Sequence, residues 1–120
     1  MRRPLLLGLA LLLAACNGSG SSGPSTSSIV IESETLVPCV ASGRFCCVRT
    51  QLVNTSSHTL DVAIRWRAFN AQGIQFADAL DFIAGVAPHT RLVSTSAFFG
   101  SQVESCSQIA RFERFDVDVF

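Results

Sequence analysis

Large apolar residues recur at every second position from Leu60 through Val62 and Ile64 to Trp66, with Asp61, Ala63, Arg65 and Arg67 between them. A period of two puts the two sets on opposite faces of an extended strand, and a helix cannot separate them in this way. The segment is therefore predicted as a strand with one face on a core. The same period recurs along the chain. Ile29 and Ile31 open a first strand that continues through Leu36 and Val37 until Pro38. Phe45 to Asn54 makes a second, in which Cys46, Val48, Thr50 and Leu52 face one way. Ile74 to Phe82 and Thr90 to Phe98 follow as a fourth and a fifth. In the last strand Phe115, Val117 and Val119 alternate with Arg114, Asp116 and Asp118.

Turn chemistry separates these runs. Residues 54–59, Asn-Thr-Ser-Ser-His-Thr, have side chains that bond their own backbone. Asn70-Ala71-Gln72-Gly73 reads as a hairpin turn in which Gly73 takes positive φ, and Gly85-Val86-Ala87-Pro88 breaks the chain. Helix competes only over residues 76–84 and 100–110. Short strands at regular spacing, with no long helical pattern, specify an all-β fold, an antiparallel β-sandwich of two sheets.

The N-terminal residues follow another logic. Met1-Arg2-Arg3-Pro4 precedes an apolar run from Leu5 to Ala15, the layout of a secretion signal. A helix needs roughly 20 apolar residues to cross a bilayer, so this run is too short to be one. Leu13-Ala14-Ala15-Cys16 resembles the lipobox of bacterial lipoproteins. The resemblance implies cleavage before Cys16 and lipidation of its thiol, with palmitate-type chains holding the mature protein on a membrane. Each buried methylene contributes about 0.8 kcal/mol, so two or three chains anchor stably where one does not. Asn17, where an inner-membrane retention signal has Asp, directs the expectation to the outer membrane, facing the periplasm, of a Gram-negative cell envelope. Residues 16–28 are then the lipidated cysteine and a Ser/Gly-rich linker with nothing to bury. Residues 29–120 remain for one small domain.

Loss of residues 1–15 removes Arg2 and Arg3 and no acid. Seven arginines then stand against nine acids, a net charge near −2. No basic footprint for nucleic acid is left. Four cysteines fall in the domain: Cys39, Cys46, Cys47 and Cys106. In an oxidising compartment an even count reads as disulfides. Adjacent Cys46 and Cys47 point to opposite faces of a strand, so they take separate partners. One closes the short loop to Cys39 and the other reaches Cys106, in either assignment. No C-x-x-C pair exists, which argues against both a thiolate metal site and a disulfide-exchange enzyme.

Several segments together resemble a known domain family. They are Val48-x-Thr50-x-Leu52-x-Asn54, then Val62-x-Ile64-x-Trp66-x-Ala68-Phe69-Asn70-Ala71-Gln72-Gly73, then Val86-Ala87-Pro88. Over roughly residues 46–98 this is similar to the FxLYD-type immunoglobulin-like domain, with His89 standing where that family has a corner Gly. An envelope lipoprotein family resembling YcfL shares the strand–turn–strand layout. Either resemblance implies an immunoglobulin-like sandwich behind the signal and linker, and neither transfers a catalytic residue.

Chemistry-bearing residues are few. His58 and His89 lie in turns without a nucleophile motif beside them. Asp78 and Asp81, and Asp116 and Asp118, are close enough in sequence to be neighbours. Arg65 and Arg67 share a face, and if the last strand lies beside the third, Asp116 and Asp118 pair with them. Phe98 and Phe99 cannot both face a core, so one ring is a candidate partner contact. No catalytic residue, metal ligand or cofactor is assigned. The expectation is a non-enzymatic binding or assembly module, with a membrane on its lipid side and a protein partner in the envelope. An exposed sheet edge or an apolar Phe98-Phe99 tip favours an accessory subunit of a larger complex. His89 clustered with carboxylates around a pocket favours a small enzyme.

Overall fold

The computed structural model describes residues 26–39, 45–100 and 103–120. A single turn of 3₁₀ helix, Thr26–Ser28, leads into six strands. They are β1 (Ile29–Pro38), β2 (Cys46–Asn54), β3 (Leu60–Phe69), β4 (Gln75–Val86), β5 (Arg91–Ala97) and β6 (Arg111–Val119). Two three-stranded sheets form, ordered β1-β2-β5 and β4-β3-β6, with every pairing antiparallel. The fold is the all-β sandwich that the alternation predicts. Residues 76–84 belong to β4, and of residues 100–110 only the turn Cys106–Gln108 is helical, as one turn of 3₁₀.

The core lies between the sheets. Cys46, Val48, Thr50 and Leu52 of β2 are all buried, and so are Leu60, Val62, Ile64, Trp66 and Ala68 of β3. These are the two central strands, flanked on both sides, and their period of two is the most regular in the chain. Trp66 shares this core with Cys46, whose sulfur bonds Cys106 and ties β2 to the approach to β6. Cys47 faces the other way and bonds Cys39. The two adjacent cysteines thus take separate partners, Cys47 closing the short loop and Cys46 the long one.

Bulges account for the departures from strict alternation. β4 does not end near Phe82 but runs on to Val86, because a bulge at Gly85 absorbs the irregularity. Gly85 has φ +68, and its N–H donates to Asp61 Oδ1 at 2.8 Å. In β6 the register slips between Arg114 and Asp116. Phe115, expected beside Val117 and Val119, is pushed to the outer face, where Arg67 lies 4.0 Å over its ring. Arg114 is brought opposite Trp66 instead, on the inner side.

Beyond β5 the chain crosses to the other sheet. Phe99 exchanges backbone hydrogen bonds with Asp78 of β4 at 2.8 and 3.0 Å, and Ser96 Oγ donates to Leu80 O at 2.7 Å. Gly100 follows with φ +146, and a Cβ there would stand 2.6 Å from Phe76 O. Only glycine fits so close a pass. The β4/β5 side of the sandwich is therefore bridged by main chain, and on the opposite side β1 and β6 are edges that no other described strand pairs with.

Candidate functional site

The residues singled out from sequence are scattered. Cys16 lies outside the described residues. Phe98 is 3% exposed and packs edge-on to Phe112, whereas Phe99 is 58% exposed. Of that pair only Phe99 offers its ring to solvent, at the end of the β4/β5 side. His58 and His89 are exposed in neighbouring turns, joined where His89 N donates to Ser56 O at 3.2 Å. Asp78 and Asp81 part to opposite faces: Asp78 stands opposite Arg67 on the outer face, and Asp81 is buried opposite Ile64. Among the described residues no group of three or more His, Cys, Asp or Glu side chains could hold a metal ion. No helix among them is long and apolar enough to cross a membrane.

β6 does lie beside β3, with Asp116 opposite Arg65 and Asp118 opposite Ala63. The expected ladder of ion pairs does not form. Among the described residues the pairs are Arg91–Glu32, Arg111–Glu113 and Arg114–Glu34. Arg67 lies over the Phe115 ring that the bulge has turned outward, although Glu113 and Asp78 stand opposite it on the two neighbouring strands. Asp116 and Asp118 remain on the outer face of an edge strand, without an ion-pair partner among the described residues.

The feature the structure adds is the cleft between the β1 and β6 edges. A groove of about 290 Å³ is lined by Ile29 and Ile31 of β1 and by Arg114 and Val117 of β6. At one end it is closed by a clasp, in which Arg114 donates to Glu34 Oε2 at 2.7 Å across the gap between the sheets. The same oxygen accepts the Trp66 indole N–H at 2.7 Å. Toward the other end the turn Thr26–Ser28 lies close to β6.

The backbone on both lips faces outward. Asp61 and Phe120 exchange both main-chain bonds at 2.9 Å, so the alternation of an antiparallel ladder turns the N–H and C=O of Val119 and Val117 away from β3. Thr55 N donates to Ser28 O at 2.8 Å, which by the same alternation turns Ile29 and Ile31 away from β2. Sequence reasoning missed this cleft because it depends on which strands end up at sheet edges. The outer face of the β4-β3-β6 sheet adds exposed Leu80, Phe82, Phe115 and Phe120, with Phe82 and Phe120 rings 6.1 Å apart.

Compared with family models, curated proteins and solved structures, the chain matches none.

Proposed function

We propose that this chain is a lipid-anchored protein of the bacterial cell envelope, whose sandwich works as a non-catalytic binding or assembly module. The observation that carries the reading is Leu13-Ala14-Ala15-Cys16, placed where an apolar run gives way to a Ser/Gly-rich linker. The cysteine pairing supports it. Cys39, Cys46, Cys47 and Cys106 bond among themselves, which leaves the fifth cysteine, Cys16, as the odd thiol for acylation. Two disulfides in a domain this small suit an oxidising compartment outside the cytoplasm. The free β1 and β6 edges favour assembly with another protein, since an unpaired edge is a template for a further strand.

The test is metabolic labelling with an alkyne-bearing palmitate, followed by membrane fractionation. The full-length protein is expected to take the label and to sediment with outer membranes. Cys16→Ser is expected to lose the label and to enter the soluble envelope fraction. Equal labelling of both forms, or firm membrane association of Cys16→Ser, removes the anchor. In the same cells, cross-linking from the β6 edge is expected to join the protein to another envelope protein. Its absence from every surface position tried removes the binding role.

A further inference from the structure

We propose that the β6 edge at residues 116–119 receives an extended strand of a partner protein, one that alternates basic and apolar residues. The proposal rests on the reading of the domain as a binding module and names how it binds. Three observations converge on one stretch of chain. First, the main-chain groups of Val117 and Val119 face away from β3, so a strand laid alongside can exchange hydrogen bonds with both. Second, Val117 lines the groove with Ile29 and Ile31, so alternate side chains of the added strand meet these three apolar residues, with Arg114 at the clasped end. Third, Asp116 and Asp118 stand on the solvent face of the same stretch with no ion-pair partner among the described residues, so the intervening side chains meet two carboxylates. Opposite charges across a strand pair stabilise it, and like charges oppose it.

Edges are commonly blunted by bulges and by charges turned inward. Here those devices sit together at one end: the β1 bulge between Ile31 and Ser33, the β6 bulge between Arg114 and Asp116, and the Glu34–Arg114 clasp. Beyond them, toward Val119, the strand pairs in regular register. The other occupants fit less well. Two copies paired through Val117 and Val119 bring Asp118 against Asp118. The linker, made of Ser, Gly and Pro with Asn17 and Thr26, has no apolar side chain for the groove.

The experiment uses the full lipidated chain in uncharged detergent micelles and an acetylated, amidated hexapeptide of alternating arginine and valine. Binding is expected to slow amide hydrogen exchange at Val117 and Val119. A peptide of alternating glutamate and valine, and Asp118→Asn with the arginine peptide, are both expected to bind more weakly, the glutamate peptide by about tenfold. A peptide N-methylated on the edge facing β6 keeps every side chain and is expected not to bind. Equal binding of the N-methylated peptide overturns the proposal. So does slow exchange at Val117 and Val119 before any peptide is added, with sedimentation showing whether a second copy or the linker covers the edge. Failure here, with cross-linked partners still reached through another face, sinks the edge alone and leaves the binding module standing. Failure of both removes the two together.

Discussion

Glu34 reaches from the edge of one sheet to the buried indole of Trp66 in the other, accepting its N–H at 2.7 Å. The same carboxylate oxygen takes Arg114, so one acid satisfies a core donor and closes the open side of the sandwich. A buried donor stripped of its acceptor costs about 1–3 kcal/mol. Glu34→Ala is therefore expected to lower Tm by roughly 4–8 °C for each kcal/mol lost, in a domain of this size. Arg114→Ala removes only a partly exposed pair and is expected to cost less, about 1 kcal/mol or below. Thermal unfolding followed by Trp66 fluorescence measures both. If the Arg114 variant suffers more than the Glu34 variant, the indole bond is not what Glu34 supplies.

The two disulfides differ in what they close. Cys46 and Cys106 are 60 residues apart, Cys39 and Cys47 only 8. Loop-closure entropy then assigns about 4 kcal/mol to the long link and about 2.5 kcal/mol to the short one. Cys46→Ala with Cys106→Ala is expected to shift the urea midpoint further than Cys39→Ala with Cys47→Ala. The gap widens because Cys46 is wholly buried in the core and its loss leaves space beside it. Equal shifts would mean that chain entropy is not the main contribution of these bonds.

How far the fold was legible follows from where each residue sits in it. β2 and β3 are flanked on both sides, so Val48, Leu52, Val62, Ile64 and Trp66 keep a strict period of two that sequence displays directly. Edge strands carry bulges, and a bulge inverts the faces of everything beyond it. That is why Phe115 reads as a core residue in sequence and stands outside in the structure, and why Arg114 reads as solvent-facing and points inward. Separate partners for Cys46 and Cys47 could be deduced, because adjacent residues on a strand face apart. Which partner each takes depended on where the turn Cys106–Gln108, ahead of β6, meets the core side of β2. The turn at His89 adopts φ +52, a left-handed conformation that histidine enters more readily than most side chains. The groove left no trace in sequence, since it belongs to β1 and β6 jointly and their residues lie some 80 positions apart, as Glu34 and Arg114 do.

Glu32 gives the domain a specific acid response. Arg91 holds its carboxylate through two hydrogen bonds at 2.7 and 2.8 Å, and Gln51 adds a third at 2.8 Å. The bond from Arg91, then that from Gln51, lowers its pKa from 4.5 to about 2. A depressed folded pKa means that the contribution is fully present above about 4.5 and fades as pH falls toward 2. Carboxyl NMR is expected to show the Glu32 midpoint near 2 in the native chain. In Arg91→Gln it is expected to rise toward 4.5, stopping short of it because Gln51 still donates. Salt near 1 M should shrink the difference, since the pair is open to solvent and the screening length falls to about 3 Å. An unchanged midpoint in Arg91→Gln would assign the shift to something other than the guanidinium.

Asn54 makes the most demanding prediction, because its amide is wholly buried and both of its ends are used. Nδ2 shares its hydrogens among His58 O at 2.7 Å, Val86 O at 3.0 Å and Ala87 O at 3.2 Å. Oδ1 accepts Ser56 N at 2.9 Å and Ser56 Oγ at 2.7 Å. One side chain thus joins the β2–β3 turn to the β4–β5 turn. Asn54→Ala strands carbonyls that no longer reach a donor, at a cost of about 3 kcal/mol. Asn54→Asp keeps the shape but aims a charge at three carbonyl oxygens, so at pH 7 it is expected to be worse than alanine. That carboxyl has its pKa raised by burial and by the acceptors around it, and once protonated it can donate again. The aspartate variant should therefore recover stability, relative to the native chain at the same pH, as pH falls from 7 to 5, whereas the alanine variant should not. Urea titrations of the three proteins at both pH values decide it. If Asn54→Asp tracks Asn54→Ala at each pH, the amide's donors are not what holds the two turns together.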